Sequence, residues 1–325
     1  MLKRFVQEPT NGPTPAVLTV RPGLPRSRLA GIGGGVSQAP GTLYVIATPI
    51  GHLGDLTPRA ADWLARVDLL LCEDTRHTGG LLRHLGAKTA TLSLHAHNEA
   101  DRISTVLERL RQGQQIGLVS DAGTPCLSDP GERLVAAVHE HRFHVETIPG
   151  PFAAAAALAA SGHPAVPFSF WGFLAKRKAA RRKQLVARLQ PAPGGGEMTH
   201  IFYIPGRDLA VVSEDLAALV PDAAVTIARE LTKSHEGYVR GPAADIGTLL
   251  SDEQLCGEAV VLVTIDRDCQ PAGDNQGPSV DQRLLQAIES GADRKQALRE
   301  IARQTGQSRR SLYNRWLELA AKKQP

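Results

Sequence analysis

The sequence predicts an α/β protein made of two α/β domains, with a small helical extension at its C-terminus. Three observations support this architecture. Short apolar runs alternate with amphipathic segments from residue 41 onward, which is typical of a mostly parallel sheet covered by helices. The alternation breaks at the Pro-Gly-Pro turn 149–151 and then resumes, which indicates a second domain. A Pro- and Gly-containing linker, 269–280, precedes a basic helical piece, 281–325.

The N-terminal segment, 1–40, is rich in Pro, Gly, Ser and Thr and has no sustained apolar period, so we expect a disordered tail. No run approaches the roughly 18 apolar residues of a membrane-spanning helix, and the first residues lack the apolar stretch of a signal peptide. The four cysteines are scattered without a CxxC pair, which argues against a zinc site or a disulfide framework. These features predict a soluble, cytoplasmic protein that does not associate with membranes.

The first predicted domain, 41–149, contains five strand-like runs and four helical segments. We expect strands at 43–47, 68–72, 91–94, 116–120 and 144–148, and helices at 57–66, 79–85, 100–111 and 130–141. Parallel strands end at one edge of their sheet, and α/β proteins bind ligands at that edge. The residues that follow these strands are therefore the first candidates for a functional site.

Loops that combine Gly with Pro follow three of these strands. Their sequences are TPIG at 48–51, SDAGTP at 120–125 and PGP at 149–151. Such loops bring the main chain close to a ligand while holding a fixed shape, and Asp121 can accept hydrogen bonds from a ligand. A tight turn explains one such loop, but three at strand ends of one sheet favour a shared small-molecule site.

Polar clusters follow the second and third predicted strands at the same edge. They read EDTRHT at 73–78 and LHAHNE at 94–99. Their carboxylates, arginine and histidines can bind a sugar phosphate and accept a proton. A metal site formed by His95, His97 and Glu99 is the alternative, but alternate residues of an extended segment rarely chelate an ion without further partners. We therefore predict no metal ion.

The second predicted domain, 150–268, starts with an alanine-rich helix at 152–161 and has strand candidates at 199–204, 224–229 and 259–265. It also contains a compact basic cluster, made of Lys176, Arg177, Lys178, Arg181, Arg182 and Lys183. No Asp or Glu lies between Glu146 and Glu197, so the sign and density of this charge predict phosphate binding. A solvated helix face is the simpler alternative.

The C-terminal extension, 281–325, carries ten basic and five acidic residues, although the whole chain has a net charge of only +4. Its helical periodicity stops at Gly306 and resumes after Ser308, a favourable N-cap residue. Two short helices about a glycine turn are typical of a helix-turn-helix, which would bring arginines to a nucleic acid. A helical cap packed on the main body is an equal alternative.

The motifs together carry a resemblance that covers about residues 41–266. The segments are LYVIATPIGHLGDLTPRA, EDTRHT, LHAHNE, VSDAGTPCLSDPG, PGPFAAAAALAASG, GFLAKRKAARR, ARELTK and GEAVVLV, in this order. They resemble the tetrapyrrole-methylase superfamily. Within it they are similar to the bacterial enzymes that methylate the ribose 2′-hydroxyl of a cytidine in 16S rRNA.

The resemblance implies a homodimer whose two α/β domains bind S-adenosyl-L-methionine in the cleft between them. It also implies a cytidine in the decoding region of 16S rRNA, within the 30S subunit, as the substrate. The implied cofactor-binding residues are Pro49, Ile50, Asp121, Ala122, Gly123, Thr124, Phe152, Ala153, Ile204 and Ala228. The implied RNA-binding residues are Arg76 and the basic cluster, Lys176, Arg177, Lys178, Arg181, Arg182 and Lys183.

Four residues are candidates for the base that removes the proton of the ribose hydroxyl, namely Asp74, His77, His97 and Glu230. Arg229, Glu230 and Lys233 stand at a strand-to-loop junction and are expected to close the cleft.

The chain departs from the family pattern at three places. The family commonly has Asn at the position of His52, Pro at that of Ala175, and Glu-Ser-x-His-Arg where this chain has IPGRD at 204–208. The last change removes a carboxylate and a histidine near the expected cofactor edge, so we interpret those groups as not catalytic.

Two other functions remain open. A methylase of tetrapyrroles or other small molecules is disfavoured by the basic cluster. A non-enzymatic nucleic-acid-binding protein is disfavoured by the three ligand loops.

Overall fold

The computed structural model of this chain describes residues 39–193, 196–266, 280–290, 292–305 and 309–321. The chain divides into two compact units, with the boundary between Gln270 and Pro271. Nearly all of the predicted tail, 1–40, and of the predicted linker, 269–280, lies outside the described residues. Among the helices that are described, none is long and apolar enough to cross a membrane.

The first sheet consists of five parallel strands in the spatial order β3-β2-β4-β1-β5. The strands are β1 (Thr42–Ile46), β2 (Leu69–Cys72), β3 (Thr91–Ser93), β4 (Ile116–Leu118) and β5 (His144–Ile148). The helices between them are α1 (Pro58–Arg66), α2 (Thr75–His84), α3 (Glu99–Arg111) and α4 (Glu132–Glu140). Each element predicted in this region is confirmed. Helix α2 begins four residues earlier than expected, because the Asp74 carboxylate caps it by accepting a hydrogen bond from the Arg76 amide at 2.9 Å.

Helices cover both faces of the first sheet. Leu71, Ile116 and Leu118 pack against α3 and α4 on one face, and Ile46 and Leu70 pack against α1 and α2 on the other. Burial on both faces explains why these strands are nearly continuous apolar runs in the sequence.

The second sheet is mixed and has the spatial order β6-β7-β10-β8-β9. The strands are β6 (Phe168–Phe173), β7 (Met198–Pro205), β8 (Ala224–Arg229), β9 (Gly237–Pro242) and β10 (Glu258–Ile265). Only β6 and β7 pair in parallel; the other neighbours are antiparallel. The helices of this region are α5 (Ala153–Ser161), α6 (Lys178–Arg188), α7 (Leu209–Leu219) and α8 (Ala243–Ile246).

The sequence predicts the central strands β7, β8 and β10 but misses both edge strands. Strand β9 alternates half-buried and exposed residues, and β6 is largely exposed. Edge strands bury too little apolar surface to leave a clear periodic pattern, which is why β6 and β9 escape prediction.

The C-terminal unit contains α9 (Val280–Glu289), α10 (Arg294–Thr305) and α11 (Arg309–Ala321). Leu284, Leu298, Ile301, Leu312 and Trp316 form its core. The predicted helical extension is confirmed, with one helix more than expected. The predicted glycine turn at 306–308 lies outside the described residues, and the helix-turn-helix interpretation stays a prediction.

Candidate active site

The three Gly- and Pro-containing loops of the first sheet contact one another. Thr48 and Gly123 exchange main-chain hydrogen bonds of 2.9 and 3.0 Å, and the Thr124 hydroxyl donates to the Pro151 carbonyl at 3.0 Å. Gly123 has a φ of +79°, a left-handed conformation that favours glycine. The loops therefore form one hydrogen-bonded surface at the carboxyl edge of the sheet.

This surface is one wall of a pocket with about 760 Å³ of empty space, part of it open to solvent. The second sheet supplies the opposite wall through the ends of β7 and β8 and the start of β10.

Eight of the ten predicted cofactor positions line the pocket, namely Ile50, Ala122, Gly123, Thr124, Phe152, Ala153, Ile204 and Ala228. The other two do not line it. Pro49 belongs to the first loop and is buried. The Asp121 carboxylate accepts a hydrogen bond from the Asp74 amide at 3.1 Å, so it joins the second loop to the EDTRHT segment.

Four charged residues line the pocket: Asp129, Glu230, Lys233 and Glu258. Glu230 Oε1 accepts hydrogen bonds from the Lys233 ammonium at 3.0 Å and from the Glu258 amide at 2.8 Å. With three carboxylates and one ammonium, the pocket favours a ligand that carries positive charge.

The loop after β8 joins the two halves of the pocket. The His52 amide donates to the Thr232 hydroxyl at 3.0 Å, and Gly51 packs so closely that an added Cβ would lie 2.6 Å from the Lys233 side chain. Glu230 and Thr232 have φ values of +47° and +65°, which are uncommon for residues other than glycine and cost about 1–3 kcal/mol each. Backbone strain of this kind concentrates at functional sites.

Of the three residues expected to close the cleft, Glu230 and Lys233 line the pocket and Arg229 does not. Arg229 is buried, and its guanidinium donates to the Glu253 carbonyl at 3.5 Å.

Among the four candidate bases, Glu230 alone lines the pocket. His77 is half-buried, and His97 is exposed with its ring 6.1 Å from that of His95. Asp74 forms an ion pair of 3.1 Å with Arg76. Hydrogen bonds from Arg76 lower the pKa of the Asp74 carboxyl to about 2.

Part of the LHAHNE segment holds the fold together. The Asn98 side chain accepts a hydrogen bond from the His95 amide at 2.8 Å, and the buried Glu99 carboxylate accepts one from the Leu134 amide at 3.1 Å. Glu99 is thus directed toward α4. In the part of the chain that the structure describes, no group of three His, Cys, Asp or Glu side chains is placed to hold a metal ion.

The basic cluster of α6 divides into buried and exposed members. Arg181 is 6% exposed, and its Nε donates to the Asp215 carboxylate at 2.7 Å, so it is turned away from the surface at which an RNA contact was predicted for it. The interior position follows from the helix itself, since Arg181 lies on the same face as the buried Leu185, four residues later. Arg182 is half-buried, 3.9 Å from Asp215. The remaining members, Lys176, Arg177, Lys178 and Lys183, are exposed, as is Arg76.

Several lining residues were not identified from the sequence. Leu127, Ser128 and Asp129 belong to the SDAGTPCLSDPG motif, whose length was a signal that the second loop extends beyond Pro125. Phe173 belongs to the GFLAKRKAARR motif, whereas Tyr203 lies in none of the motifs. In the atypical run 204–208, Ile204 alone lines the pocket.

Comparison with known proteins places these features in a family. Residues 42–247 match the family model described as Tetrapyrrole (Corrin/Porphyrin) Methylases. The ribosomal RNA small subunit methyltransferase I of Synechocystis is 41% identical over 86% of this chain and 99% of its own length. Its Vibrio cholerae counterpart is 40% identical over 85% of this chain and 94% of its own length. The Escherichia coli counterpart is 37% identical over 86% of this chain and 95% of its own length.

The solved uroporphyrin-III-C-methyltransferase of Thermus thermophilus has a TM-score of 0.47 to this chain, with 22% identity over 69% of this chain and 94% of that chain. The match to the family model and the near-complete coverage of the relatives identify the family. The chain belongs to the tetrapyrrole (corrin/porphyrin) methylases, in the group of the ribosomal RNA small subunit methyltransferases I.

Proposed function

We propose that this chain is an S-adenosyl-L-methionine-dependent methyltransferase of small-subunit rRNA, and that it methylates the ribose 2′-hydroxyl of a cytidine in the decoding region of 16S rRNA. The observation that carries the proposal is the coverage of 94% or more of three relatives that bear the name of a small subunit rRNA methyltransferase. The pocket between the two sheets supports it.

The residues of the pocket fit the cofactor. S-Adenosyl-L-methionine has a sulfonium, an amine and a flat adenine ring, and it is cationic overall. Three carboxylates suit the positive groups, and the apolar side chains of Ile50, Phe152 and Val260 suit the ring. When bound, the cofactor supplies a methyl group that a sulfonium has already activated for displacement.

Glu230 is the residue we assign to accept the proton of the ribose hydroxyl. A hydroxyl is a weak nucleophile, and a positioned base contributes about 10²- to 10⁴-fold to the rate. Lys233 and the Glu258 amide both bind Oε1, so Oε2 is the oxygen that meets the substrate. Asp74 is a poor base, because a carboxyl with a pKa of about 2 has little affinity for a proton near neutral pH.

The exposed members of the basic cluster are assigned to the rRNA backbone. Lys176, Arg177, Lys178 and Lys183 present positive charge at the N-terminal part of α6 and just before it. Phosphate contacts of this kind make affinity fall steeply with salt. Replacing Lys178 and Lys183 with Glu should weaken binding to 30S subunits and flatten its salt dependence, while cofactor affinity stays unchanged. Loss of both affinities together would make the cluster structural.

The proposal includes a cytoplasmic homodimer. Light scattering on the purified protein would test its dimeric state.

The reaction class is tested by incubating the protein with labelled S-adenosyl-L-methionine and either 30S subunits or a tetrapyrrole. Label on the rRNA supports the proposal. Label on the tetrapyrrole alone would contradict it and make the chain a small-molecule methylase.

A further inference from the structure

Strand β6 contains a bulge that turns one aromatic side chain toward the pocket. Phe170 pairs with Ile201 and Phe173 pairs with Tyr203, so Trp171 and Gly172 together stand opposite Phe202 alone. In a regular strand, a spacing of three residues would place Phe170 and Phe173 on opposite faces, whereas the bulge puts them on the same face. Bulges are common beside active sites, where they redirect a side chain.

Gly172 fixes this bulge against the first sheet's second loop. It has a φ of +65°, is buried, and would collide with the Ser128 side chain if it carried a Cβ. Ser128 lines the pocket. The bulge is therefore held in place by the same loop that forms the pocket wall.

The ring of Phe173 lies at the mouth of the pocket and is open to solvent. It lines the pocket, yet 52% of the residue is exposed, and its inner edge packs against Tyr203 with ring centroids 5.5 Å apart. A ligand that covers the exposed part of this ring removes apolar surface from water, which favours binding.

The basic cluster begins three residues later. Lys176 lines a small depression that shares Tyr203 and Ile204 with the pocket wall, so the start of the basic cluster adjoins that wall. An exposed ring next to exposed lysines and an arginine is the combination by which proteins bind single-stranded nucleic acid, with bases stacked on rings and phosphates on cations.

We propose that Phe173 is a stacking platform for an unpaired RNA base, which holds the target nucleotide with its ribose directed into the pocket. This inference rests on the proposed function. It adds the requirement that the nucleotide be unstacked from its neighbours, since a base inside a helix cannot reach the ring.

The test compares Phe173→Leu, which keeps an apolar side chain without a ring face, with Phe173→Tyr, which keeps the ring. Steady-state methyl transfer to 30S subunits is measured, together with the Kd of S-adenosyl-L-methionine by calorimetry. Phe168→Leu is the matched control, because Phe168 is 45% exposed on the same strand and does not line the pocket.

We expect Phe173→Leu to lower kcat/KM for 30S subunits roughly 5- to 160-fold, the effect of losing one base–aromatic stack, chiefly through KM. Phe168→Leu should behave as the wild type, Phe173→Tyr should restore most of the activity that Phe173→Leu loses, and the cofactor Kd should not change. Unchanged kcat/KM in Phe173→Leu would overturn the inference. Parallel weakening of cofactor binding, or failure of tyrosine to restore activity, would also overturn it in favour of a packing role. A wild type inactive on 30S subunits would instead overturn the proposed function, and the inference with it.

Discussion

The two sheets build the pocket in different ways. The first contributes closely approaching main chain and small side chains, such as Ala122, Gly123 and Thr124. The second contributes larger and charged groups, such as Tyr203 and Glu230. Of the four charged residues that line the pocket, only Asp129 comes from a loop of the first sheet.

This difference follows from topology. Parallel strands all end at one edge, so three loops meet there. Main-chain hydrogen bonds join the first loop to the second, and the Thr124 hydroxyl joins the second to the third. In the mixed sheet neighbouring strands run in opposite directions, so the pocket receives the ends of β7 and β8 and the start of β10. The first sheet fixes the shape of the pocket, and the second supplies most of its charge.

The largest effect should come from removing the charge supplied by the second sheet. Glu230→Gln preserves size but cannot accept a proton, so we expect kcat to fall about 10²- to 10⁴-fold, with much smaller change in cofactor affinity. Single-turnover methyl transfer measures this. Asp74→Asn is the matched control from the first sheet, since asparagine keeps the helix cap. A large loss in Asp74→Asn with none in Glu230→Gln would reverse the assignment of the base.

A second prediction separates structural from RNA-binding charge within the second sheet's own helix, α6. Asp215→Ala leaves Arg181 buried without its carboxylate, so the free energy of unfolding should fall by about 3–5 kcal/mol. Lys178→Ala, on the exposed side, should change it by about 0.5 kcal/mol or less. Urea unfolding followed by circular dichroism checks both. Equal stabilities would show that the Arg181–Asp215 pair does not support the helix.

The third prediction concerns the shape fixed by the first sheet. Gly123→Ala would strain a backbone with a φ of +79° and place a Cβ 3.2 Å from the side chain of Ile50, which lines the pocket and would have to shift. We expect about a tenfold rise in the cofactor Kd, equivalent to about 1.4 kcal/mol. Gly86→Ala is matched in φ, +67°, but its Cβ would meet none of the described atoms within 4 Å. Gly86→Ala should lower the free energy of unfolding and leave the cofactor Kd unchanged. A similar rise in Kd in Gly86→Ala would show that the effect of Gly123→Ala does not arise from the pocket loops.

The smallest effect is a pH dependence of stability that arises in the second sheet. Burial lowers the pKa of His163 and of His200 below the usual 6.5, and both rings bind side-chain hydroxyls. The unfolded chain therefore binds more protons below about pH 6.5, so the free energy of unfolding should fall as pH decreases through that point. Replacing His163 with Gln should reduce this slope. Stability that rises as the pH falls from about 7 to 5 would contradict the assignment.

The first sheet could be predicted almost completely from the sequence. Its strands are buried on both faces and read as apolar runs, and the rule that ligands bind at the carboxyl ends of parallel strands pointed to the loops that form one wall of the pocket. The individual lining residues, including Ile204 and Ala228 of the second sheet, were implied by the family resemblance. Asp121 lies in a loop that was correctly predicted to line the pocket, but its carboxylate binds the Asp74 amide instead of facing the pocket. Asp74 is 47 residues away in the chain, so the sequence contains no sign of this contact.

The side-chain directions in and around the second sheet could not be predicted, because they depend on contacts between residues that are distant in the chain. Arg181 is buried and Lys178 is exposed, although both belong to the basic cluster. The burial of Arg181 depends on its contact with Asp215, which is 34 residues away in the chain. The direction of Phe173 depends on a bulge at Gly172, and no periodicity reveals a bulge in an exposed edge strand. The sequence alone could not choose among four candidate bases, since the choice rests on which side chain faces the pocket.

The most direct test of the central claim is methyl transfer from labelled S-adenosyl-L-methionine to 30S subunits that lack the native ribose methylation, followed by nuclease digestion and mass analysis of the nucleosides. The account predicts one new 2′-O-methylated cytidine, confined to the decoding region of 16S rRNA. Methylation of a base, or of a ribose elsewhere in the subunit, would contradict it.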